Sequence, residues 1–140
     1  MEYYIDFSEP LPKMVQRLRA EHRYFRLELI QIEEASEVSP QKAIEMLKEI
    51  KKPILWHAVE EEARIMRVIM QKAKEQSEQS IKVLQEHKGI RNFLEKRISQ
   101  LECSSQDIAE EVNTCGDEMR KHLSEEEEIV FPLAIKADSM

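Results

Sequence analysis

This 140-residue chain contains four histidines, and all of them belong to one twofold sequence repeat. They are His22, His57, His87 and His122. His22 and His57 form the first pair, and His87 and His122 form the second. The second pair follows the first at an offset of 65 residues, since 22 plus 65 is 87 and 57 plus 65 is 122. In each pair the second histidine precedes a glutamate by four residues, as His57 precedes Glu61 and His122 precedes Glu126. On an α-helix this spacing places both side chains on one face.

The chemistry that this combination predicts is metal binding. A buried carboxylate is costly unless a proton, a cationic side chain or a metal ion neutralises it, and Glu61 and Glu126 fall on apolar stripes. Neutral imidazoles together with carboxylates suit first-row transition metals, and favour iron or manganese over a closed thiolate zinc site. Two divalent ions would bring four positive charges to two carboxylates and leave room for a hydroxide or oxide bridge. A single histidine among apolar residues is more often a hydrogen-bonded core residue, but four in a repeat favour a metal site.

Four helices would have to position these residues, because apolar residues recur at intervals of three and four along four segments. The first stripe consists of Leu11, Met14, Leu18, His22, Phe25, Leu29 and Ile32. The second consists of Ile44, Leu47, Ile50, Ile54, His57, Glu61, Ile65 and Val68. The third consists of Val83, His87, Ile90, Leu94, Ile98 and Leu101. The fourth consists of Ile108, Val112, Cys115, Met119, His122, Glu126, Ile129 and Leu133.

Capping and turn residues predict where these helices begin and end. Three helix starts are predicted by Ser8 with Pro10, by Ser39 with Pro40, and by Ser104 with Asp107, the last pair spaced as a capping box. The polar stretch 75–80 predicts the turn between the second and third helices. Pro53 and Pro132 lie inside the second and fourth stripes, where the missing N–H predicts a kink or a stop.

The positions of the histidines also predict how the helices pair. In an antiparallel hairpin, residues equidistant from the turn lie at the same height. The midpoint of 22 and 57 is 39.5 and that of 87 and 122 is 104.5, and both fall on predicted turns. We therefore predict an all-α, up-down-up-down antiparallel four-helix bundle over residues 10–137, after an irregular N-terminal lead-in at residues 1–9.

Composition agrees with a helical protein and narrows its partners. Charged residues make up 35% of the chain while glycine and proline together number seven (two plus five), which favours long helices. A net charge of -7 argues against nucleic acid, and no apolar run is long enough to predict a membrane span. Cys103 and Cys115 form no CxxC motif, and residues 1–6 do not resemble a secretory signal. A cytoplasmic location is the resulting expectation.

The lone histidine on the first and third helices, with His-x3-Glu on the second and fourth, resembles the hemerythrin-like, or HHE cation-binding, domain family. The resemblance extends from about residue 10 to residue 137. It implies a non-haem di-iron centre with an oxo or hydroxo bridge, with manganese or zinc as substitutes. The implied ligands are His22 and His57 at one iron, His87 and His122 at the other, and Glu61 and Glu126 as bridges.

The chain departs from the oxygen-carrying hemerythrins at two positions. Those proteins have His-x3-His on the third helix and His-x4-Asp on the fourth, whereas this chain has Arg91 at the second position and Glu126 in place of the later aspartate. The site therefore has one imidazole fewer. The variant looks more like family members associated with iron and oxygen sensing, or with nitric oxide and iron–sulfur repair chemistry, although the repair proteins carry an extra cysteine-containing N-terminal region.

Three functional hypotheses follow. The first is a di-iron protein that binds or senses O2 or NO at an open iron position. The second is a di-iron enzyme that reduces peroxide or NO, or acts in iron–sulfur cluster repair, with Cys115 or Arg91 assisting. The third is a metal-free helical interaction module whose buried polar residues set the register. A ferritin-like oxidase is disfavoured because no Glu-x-x-His motif is present.

Residues beside the repeat have roles that the sequence leaves open. Arg26 and Arg91 either pair with the site carboxylates or extend into solvent, and Gly89 is either room for an exogenous ligand or simply a tolerated helical glycine. The remaining glutamates of the two motifs are predicted to be solvated or to contact the ligands from outside. These are Glu60, Glu62, Glu125, Glu127 and Glu128.

Overall fold

The structure is a computed structural model that describes residues 4–103 and 107–140. Four long helices, labelled α1 to α4, form the predicted four-helix bundle, and no strand occurs among the described residues. Helix α1 spans Leu11–Val38. Helix α2 is α-helical over Pro40–Glu60, π-helical over Glu61–Met66 and α-helical again over Arg67–Lys72. Helix α3 comprises Ser77–Asn92, a π-helical turn at Phe93–Arg97, and Ile98–Glu102. Helix α4 comprises Ile108–Glu125, a π-helical turn at Glu126–Val130, and Phe131–Asp138.

The start of α2 follows the predicted capping chemistry. Ser39 is the N-cap, its side chain accepts a hydrogen bond from the Lys42 N–H at 3.4 Å, and Pro40 occupies the first helical position. Helix α1 differs from the prediction, because Pro10 is its N-cap and Ser8 instead donates to the carboxylate of Asp6.

The start of α4 also differs from the predicted capping box. Asp107 is itself the N-cap and accepts a hydrogen bond from the Glu110 N–H at 3.2 Å, so it does not lie three positions inside the helix. The proposed first member of the box, Ser104, lies outside the described residues. An aspartate satisfies the free N–H groups of the first turn as well as a serine does.

Neither internal proline ends its helix, so of the predicted kink or stop, the stop is wrong at both positions. Helix α2 continues through Pro53 to Lys72, and Pro132 lies at the start of the last α-helical segment of α4, which runs to Asp138. At such a position proline is tolerated because no hydrogen bond from its nitrogen is required. The turn between α2 and α3 is a 3₁₀ turn at Lys74–Gln76, slightly earlier than the predicted stretch.

The π-helical turns change which residues face the core downstream. A π turn contains one residue more than an α turn, so the buried face moves by one position. In α2, Ile69 is fully buried after the π turn, whereas Val68, which the stripe predicted to be buried, is half-buried. In α4 Val130 is buried, and the predicted Ile129 is 49% exposed. Val68, the last member of the second predicted stripe, and Ile129 in the fourth are therefore each wrong by one residue.

The apolar core is divided into two clusters, with the histidines between them. One cluster includes Phe25, Leu29 and Ile32 of α1 with their neighbours, and the other includes Leu11 of α1 and Phe131 of α4 with theirs. The polar residues of the repeat thus lie about halfway along the bundle. No helix among residues 4–103 and 107–140 combines the length and the apolar character that crossing a membrane requires.

Two helical glycines give a matched stability prediction. A Cβ at Gly89 would meet no atom within 4 Å, so Gly89→Ala is expected to raise the free energy of unfolding by about 1 kcal/mol through helix propensity. A Cβ at Gly116 would lie 3.0 Å from the Glu33 carboxyl carbon, and that carboxylate is held by Arg120. Gly116→Ala should therefore raise the free energy of unfolding by less than Gly89→Ala does, or should lower it. Urea unfolding of both variants tests this, and equal gains would contradict it.

Candidate metal centre

The six residues predicted to bind metal converge at the middle of the bundle and are almost inaccessible to solvent. None is more than 5% exposed. Within each hairpin the histidines are level, as predicted: the Nε2 atoms of His22 and His57 lie 3.0 Å apart, and the ring centroids of His87 and His122 are 4.9 Å apart.

Glu61 lies between the two histidine pairs. Its Oε2 atom is 3.0 Å from His57 Nε2 and 3.6 Å from His22 Nε2. Its Oε1 atom is 3.1 Å from His87 Nε2 on the opposite hairpin. One carboxylate therefore faces both halves of the site with different oxygens, which is the arrangement of a bridging ligand.

Glu126 has the matching arrangement from the other hairpin. Its Oε1 atom is 3.2 Å from His22 Nε2, and its Oε2 atom is 3.4 Å from His87 Nε2 and 3.3 Å from His122 Nε2. We refer to Glu61 and Glu126 as the site carboxylates. Each site carboxylate contacts three imidazoles. Two of them belong to its own helical hairpin, and the third belongs to the other hairpin.

The donor atoms form two overlapping groups, in each of which they lie within 4.8 Å of one another. The first group is His22, His57, Glu61 and Glu126, and the second is Glu61, His87, His122 and Glu126. The site carboxylates belong to both groups. The geometry thus offers two adjacent positions for a cation, each with two imidazoles and two shared carboxylates.

The hydrogen bonding of these atoms fits a cation. All four oxygens of the site carboxylates, and His87 Nε2, are buried without a hydrogen-bond partner among the described residues. The short nitrogen–oxygen distances above therefore lack hydrogen-bond geometry. Buried polar atoms are almost always satisfied in proteins, and such a cluster indicates a missing charged partner.

The other ring nitrogen of each histidine faces a second set of glutamates, here called the outer carboxylates. The pairs are His22 with Glu127 at 2.7 Å, His57 with Glu21 at 2.7 Å, His87 with Glu62 at 3.2 Å, and His122 with Glu86 at 2.9 Å. An Nδ1–H that donates to an outer carboxylate leaves the Nε2 lone pair directed inward. This arrangement fixes the tautomer that metal binding needs.

Sequence reasoning identified only half of these outer partners. Glu62 and Glu127 were expected to be solvated or to contact the ligands, and they contact them. Glu21 and Glu86 were not predicted to have a role. Their signal was their spacing of 65 residues, although each contacts the histidine of the neighbouring helix and not the one beside it in sequence.

Four other charged residues near the motifs are also paired. Arg26 donates to Glu127 at 2.6 Å, and Arg91 lies 3.6 Å from Glu62, so both arginines contact outer carboxylates and not the site carboxylates. Glu60, which is buried, pairs with Arg17 at 2.7 Å. In the second half, Glu125 pairs with Lys82 at 2.6 Å. Glu128 is exposed, as expected.

The carboxylates strongly favour protonated histidines when no metal is bound. Burial lowers the pKa of His57, but the charge of Glu61 and an outer carboxylate together raise it to about 10. Burial also lowers the pKa of His87, but the site carboxylates outweigh this effect and raise the pKa to about 11. At His122 the carboxylates outweigh burial in the same way, and the pKa is about 9. The pKa of His22 is raised as well.

The site carboxylates are shifted in the opposite direction. Burial raises the pKa of Glu61, but the charge of His57 and contacts with other imidazoles outweigh it and lower the pKa well below its usual value. The pKa of Glu126 is lowered too, although burial and the charge of Glu61 oppose this. A proton on each histidine and a metal ion are thus alternative ways of neutralising the same anions.

Replacing an outer carboxylate tests the second layer of the site. Glu127→Gln keeps the shape of the side chain but removes the charge that faces His22 Nδ1. We expect metal affinity to fall by about 10- to 100-fold, measured by competition with a chelator of known affinity. Glu128→Gln, at the exposed neighbouring position, is the control and should leave affinity unchanged. Equal affinities in both variants would contradict this assignment.

A small cavity adjoins the donor atoms and is lined partly by His57, His87 and the site carboxylates; we call it the inner cavity. Its volume is about 20 Å³, enough for one water-sized molecule. His122 lines it as well, and the rest of its lining is apolar and consists of Phe25, Ile54, Leu55, Ala58, Ile90, Met119 and Leu123. A small uncharged molecule therefore has space beside the site.

Two of the three π-helical turns in residues 4–103 and 107–140 coincide with the site. The π-helical turns of α2 and α4 begin at Glu61 and Glu126 themselves, which are equivalent positions of the repeat. Such turns are frequent at functional sites, because the additional residue re-aims one side chain without ending the helix.

Comparison with known proteins agrees with this geometry. The sequence model of the hemerythrin HHE cation binding domain matches residues 13–134. Neither the curated proteins nor the solved structures give a significant match. A match over residues 13–134 covers most of the 140-residue chain, and it includes all six converging residues. The chain belongs to the hemerythrin HHE cation binding domain family.

Proposed function

We propose that this protein binds two iron ions in the middle of the bundle and uses them to bind or sense a small diatomic molecule, O2 or NO. The observation that carries the proposal is the set of four site-carboxylate oxygens, buried without hydrogen-bond partners among four imidazoles. The proposed ligands are His22 and His57 for one ion, His87 and His122 for the other, and Glu61 and Glu126 for both.

The charges of the site support two divalent ions. Two site carboxylates bring two negative charges into an apolar core, and the outer carboxylates add negative charge just outside it. Nitrogen and oxygen donors without thiolates favour iron or manganese among first-row metals. An iron pair would supply one-electron redox chemistry and a coordination position for a small ligand.

The protein's own residues determine what can reach that position. The outer carboxylates hold the imidazole rings with Nε2 inward, so the donor set is arranged before metal binds. The inner cavity admits one molecule of about the size of water, and its apolar walls favour an uncharged one. O2 and NO meet both conditions.

The structure favours a binding protein over a peroxide- or NO-reducing enzyme. The two residues that the sequence suggested as catalytic assistants are poorly placed for it. Burial, together with the charges of Glu118 and Glu33, raises the pKa of the Cys115 thiol to about 12, so the reactive thiolate is scarce at neutral pH. Arg91 faces Glu62 on the outer side of His87.

The test combines metal analysis with anaerobic titration. Purified protein loaded with ferrous iron should contain about two irons per chain, and its absorption spectrum should change on addition of NO or air, with saturation near one molecule of ligand per chain. Consumption of many equivalents of NO or peroxide per chain would instead show an enzyme. Absence of bound iron after loading would contradict the proposal.

A further inference from the structure

The two halves of the repeat have the same proposed ligands but differ in the residues beside the site. Position 24 in the first half corresponds to position 89 in the second, since 24 plus 65 is 89. The first half has Tyr24 and Phe25 there, whereas the second has Gly89 and Ile90. A pair of aromatic residues on one face of the bundle is thus matched by a glycine and a smaller aliphatic residue on the other.

On the α3–α4 face these small residues border a second cavity, which we call the outer cavity. It is half-enclosed and has a volume of about 440 Å³. Gly89, Lys82 and Lys121 lie on its wall and are themselves exposed, so the cavity opens to solvent there. A Cβ at Gly89 would meet nothing within 4 Å, and a large side chain at this position would extend into that open space.

Only a thin layer of side chains separates the outer cavity from the inner cavity. Ile90, Met119 and His122 line both of them. Met119 has an unbranched, flexible side chain that can change rotamer at small cost. A molecule in the outer cavity therefore needs only a local side-chain motion to reach the inner cavity, on the side of the site where His122 lies.

The equivalent route on the α1–α2 face is blocked by aromatic packing. Phe25 is 2% exposed and packs edge-on against His57, with ring centroids 5.2 Å apart. Tyr24 lies next to it, at 5.7 Å between ring centroids. Phe25 also lines the inner cavity, so its ring forms part of the wall of that cavity.

We propose that a small uncharged ligand of the metal centre reaches it through the outer cavity, that Gly89 keeps this route open, and that Phe25 closes the equivalent route on the other face. The inference rests on the proposed function in taking the ligand to be a diatomic molecule. The α3–α4 half of the site, and not the α1–α2 half, then receives the ligand first, although both halves offer the same number of imidazoles and carboxylates.

The first experiment measures the route without any metal. Cys115 lines the outer cavity, and replacing the exposed Cys103 by serine leaves it as the single thiol. The metal-free protein is treated with N-ethylmaleimide. Gly89→Tyr, which copies the residue of the first half, should slow labelling of Cys115 at least tenfold. Gly89→Ala adds only one methyl group to open space and should label within twofold of the parent.

The second experiment measures ligand arrival. In iron-loaded protein the association rate of NO, followed by stopped-flow absorption, should fall about tenfold in Gly89→Tyr. Ile90→Phe, which copies Phe25 at the layer between the cavities, should slow NO association as well. Tyr24→Ala, on the opposite face, should leave the NO rate within twofold of the parent. Melting temperatures of all variants establish that they are folded.

The outcomes separate the route from the function. NO association that is unchanged in both Gly89→Tyr and Ile90→Phe, or that is slowed only by changes on the α1–α2 face, overturns the route while leaving iron and NO binding intact. Protein that takes up iron but no NO contradicts the proposed function. In that case unchanged Cys115 labelling in Gly89→Tyr overturns the role of Gly89, and tenfold slower labelling supports it.

Discussion

Metal-free protein is expected to melt at least about 10 °C below the iron-loaded form. An ion that binds only the folded state stabilises it by about 3 to 4 kcal/mol when its free concentration exceeds the dissociation constant by 100- to 1,000-fold. In a domain of this size, each kcal/mol moves the melting temperature by a few degrees. The estimate counts one ion, and a second ion adds to it, whereas imidazolium ions that already neutralise part of the buried charge in the metal-free protein reduce the difference.

The difference in melting temperature should widen as pH rises. A histidine whose pKa is raised on folding stabilises the folded state below its unfolded pKa, and that contribution is lost as pH rises through the folded pKa. For the metal-free protein the loss extends from about pH 6.5 to the folded values, about 10 for His57 and about 9 for His122. Bound metal needs neutral imidazoles, so the loaded protein keeps its stabilisation over the same range.

Differential scanning calorimetry at pH 6.5, 7.5 and 8.5, with and without ferrous iron under anaerobic conditions, measures both effects. Loading should also release protons, which a weakly buffered titration detects. Identical melting temperatures with and without iron at all three pH values would favour the remaining hypothesis, in which the buried polar residues serve only to set helix register.

Much of the bundle was predictable because it depends on the spacing of residues within single helices, and because that spacing is repeated in the two halves of the chain. All seven residues of the first apolar stripe are buried, and the histidines meet at the heights that the midpoints 39.5 and 104.5 predict. Each depends on helical spacing along one chain segment. The convergence of the six residues followed from the twofold repeat, because two equivalent hairpins place their histidines and glutamates at equivalent heights in the bundle.

The features that were missed depend on contacts between helices. Nothing in the sequence around Glu61 distinguishes a π turn from an α turn, yet the additional residue moves the buried face from Val68 to Ile69. Glu21 was overlooked because its partner is His57 of the adjacent helix and not its sequence neighbour. Such cross-helix pairs require the helix rotation to be known before the residues can be matched.

Capping was predictable only where a side chain of the right type directly precedes the helix. Ser39 meets that condition, while Ser8 lies two positions too early and forms a local bond to Asp6. Likewise the sequence at Pro53 and Pro132 allowed a kink or a stop, and it did not contain the tertiary packing that stabilises both helices beyond these prolines. Helix propensity is a weak guide once a helix is buried along most of its length.

Glu61→Gln is expected to reduce the metal content from about two ions per chain to less than about 0.2 under conditions that saturate the parent. Glu61 belongs to both groups of donor atoms and contacts His57, His22 and His87, so its charge serves both cation positions. The substitution keeps the volume but removes the charge, and the remaining carboxylate would face two divalent ions alone. Loss of one charged ligand from a desolvated site costs several kcal/mol, or a few powers of ten in affinity.

The control for this variant is Glu128→Gln, which makes the same chemical change at an exposed position of the second motif and should retain about two ions. Metal content is measured by mass spectrometry of the metals after gel filtration. A shared bridge predicts that Glu61→Gln loses both ions together. Retention of one ion would show instead that Glu61 serves a single position, and that the two halves of the site load independently through their own glutamates.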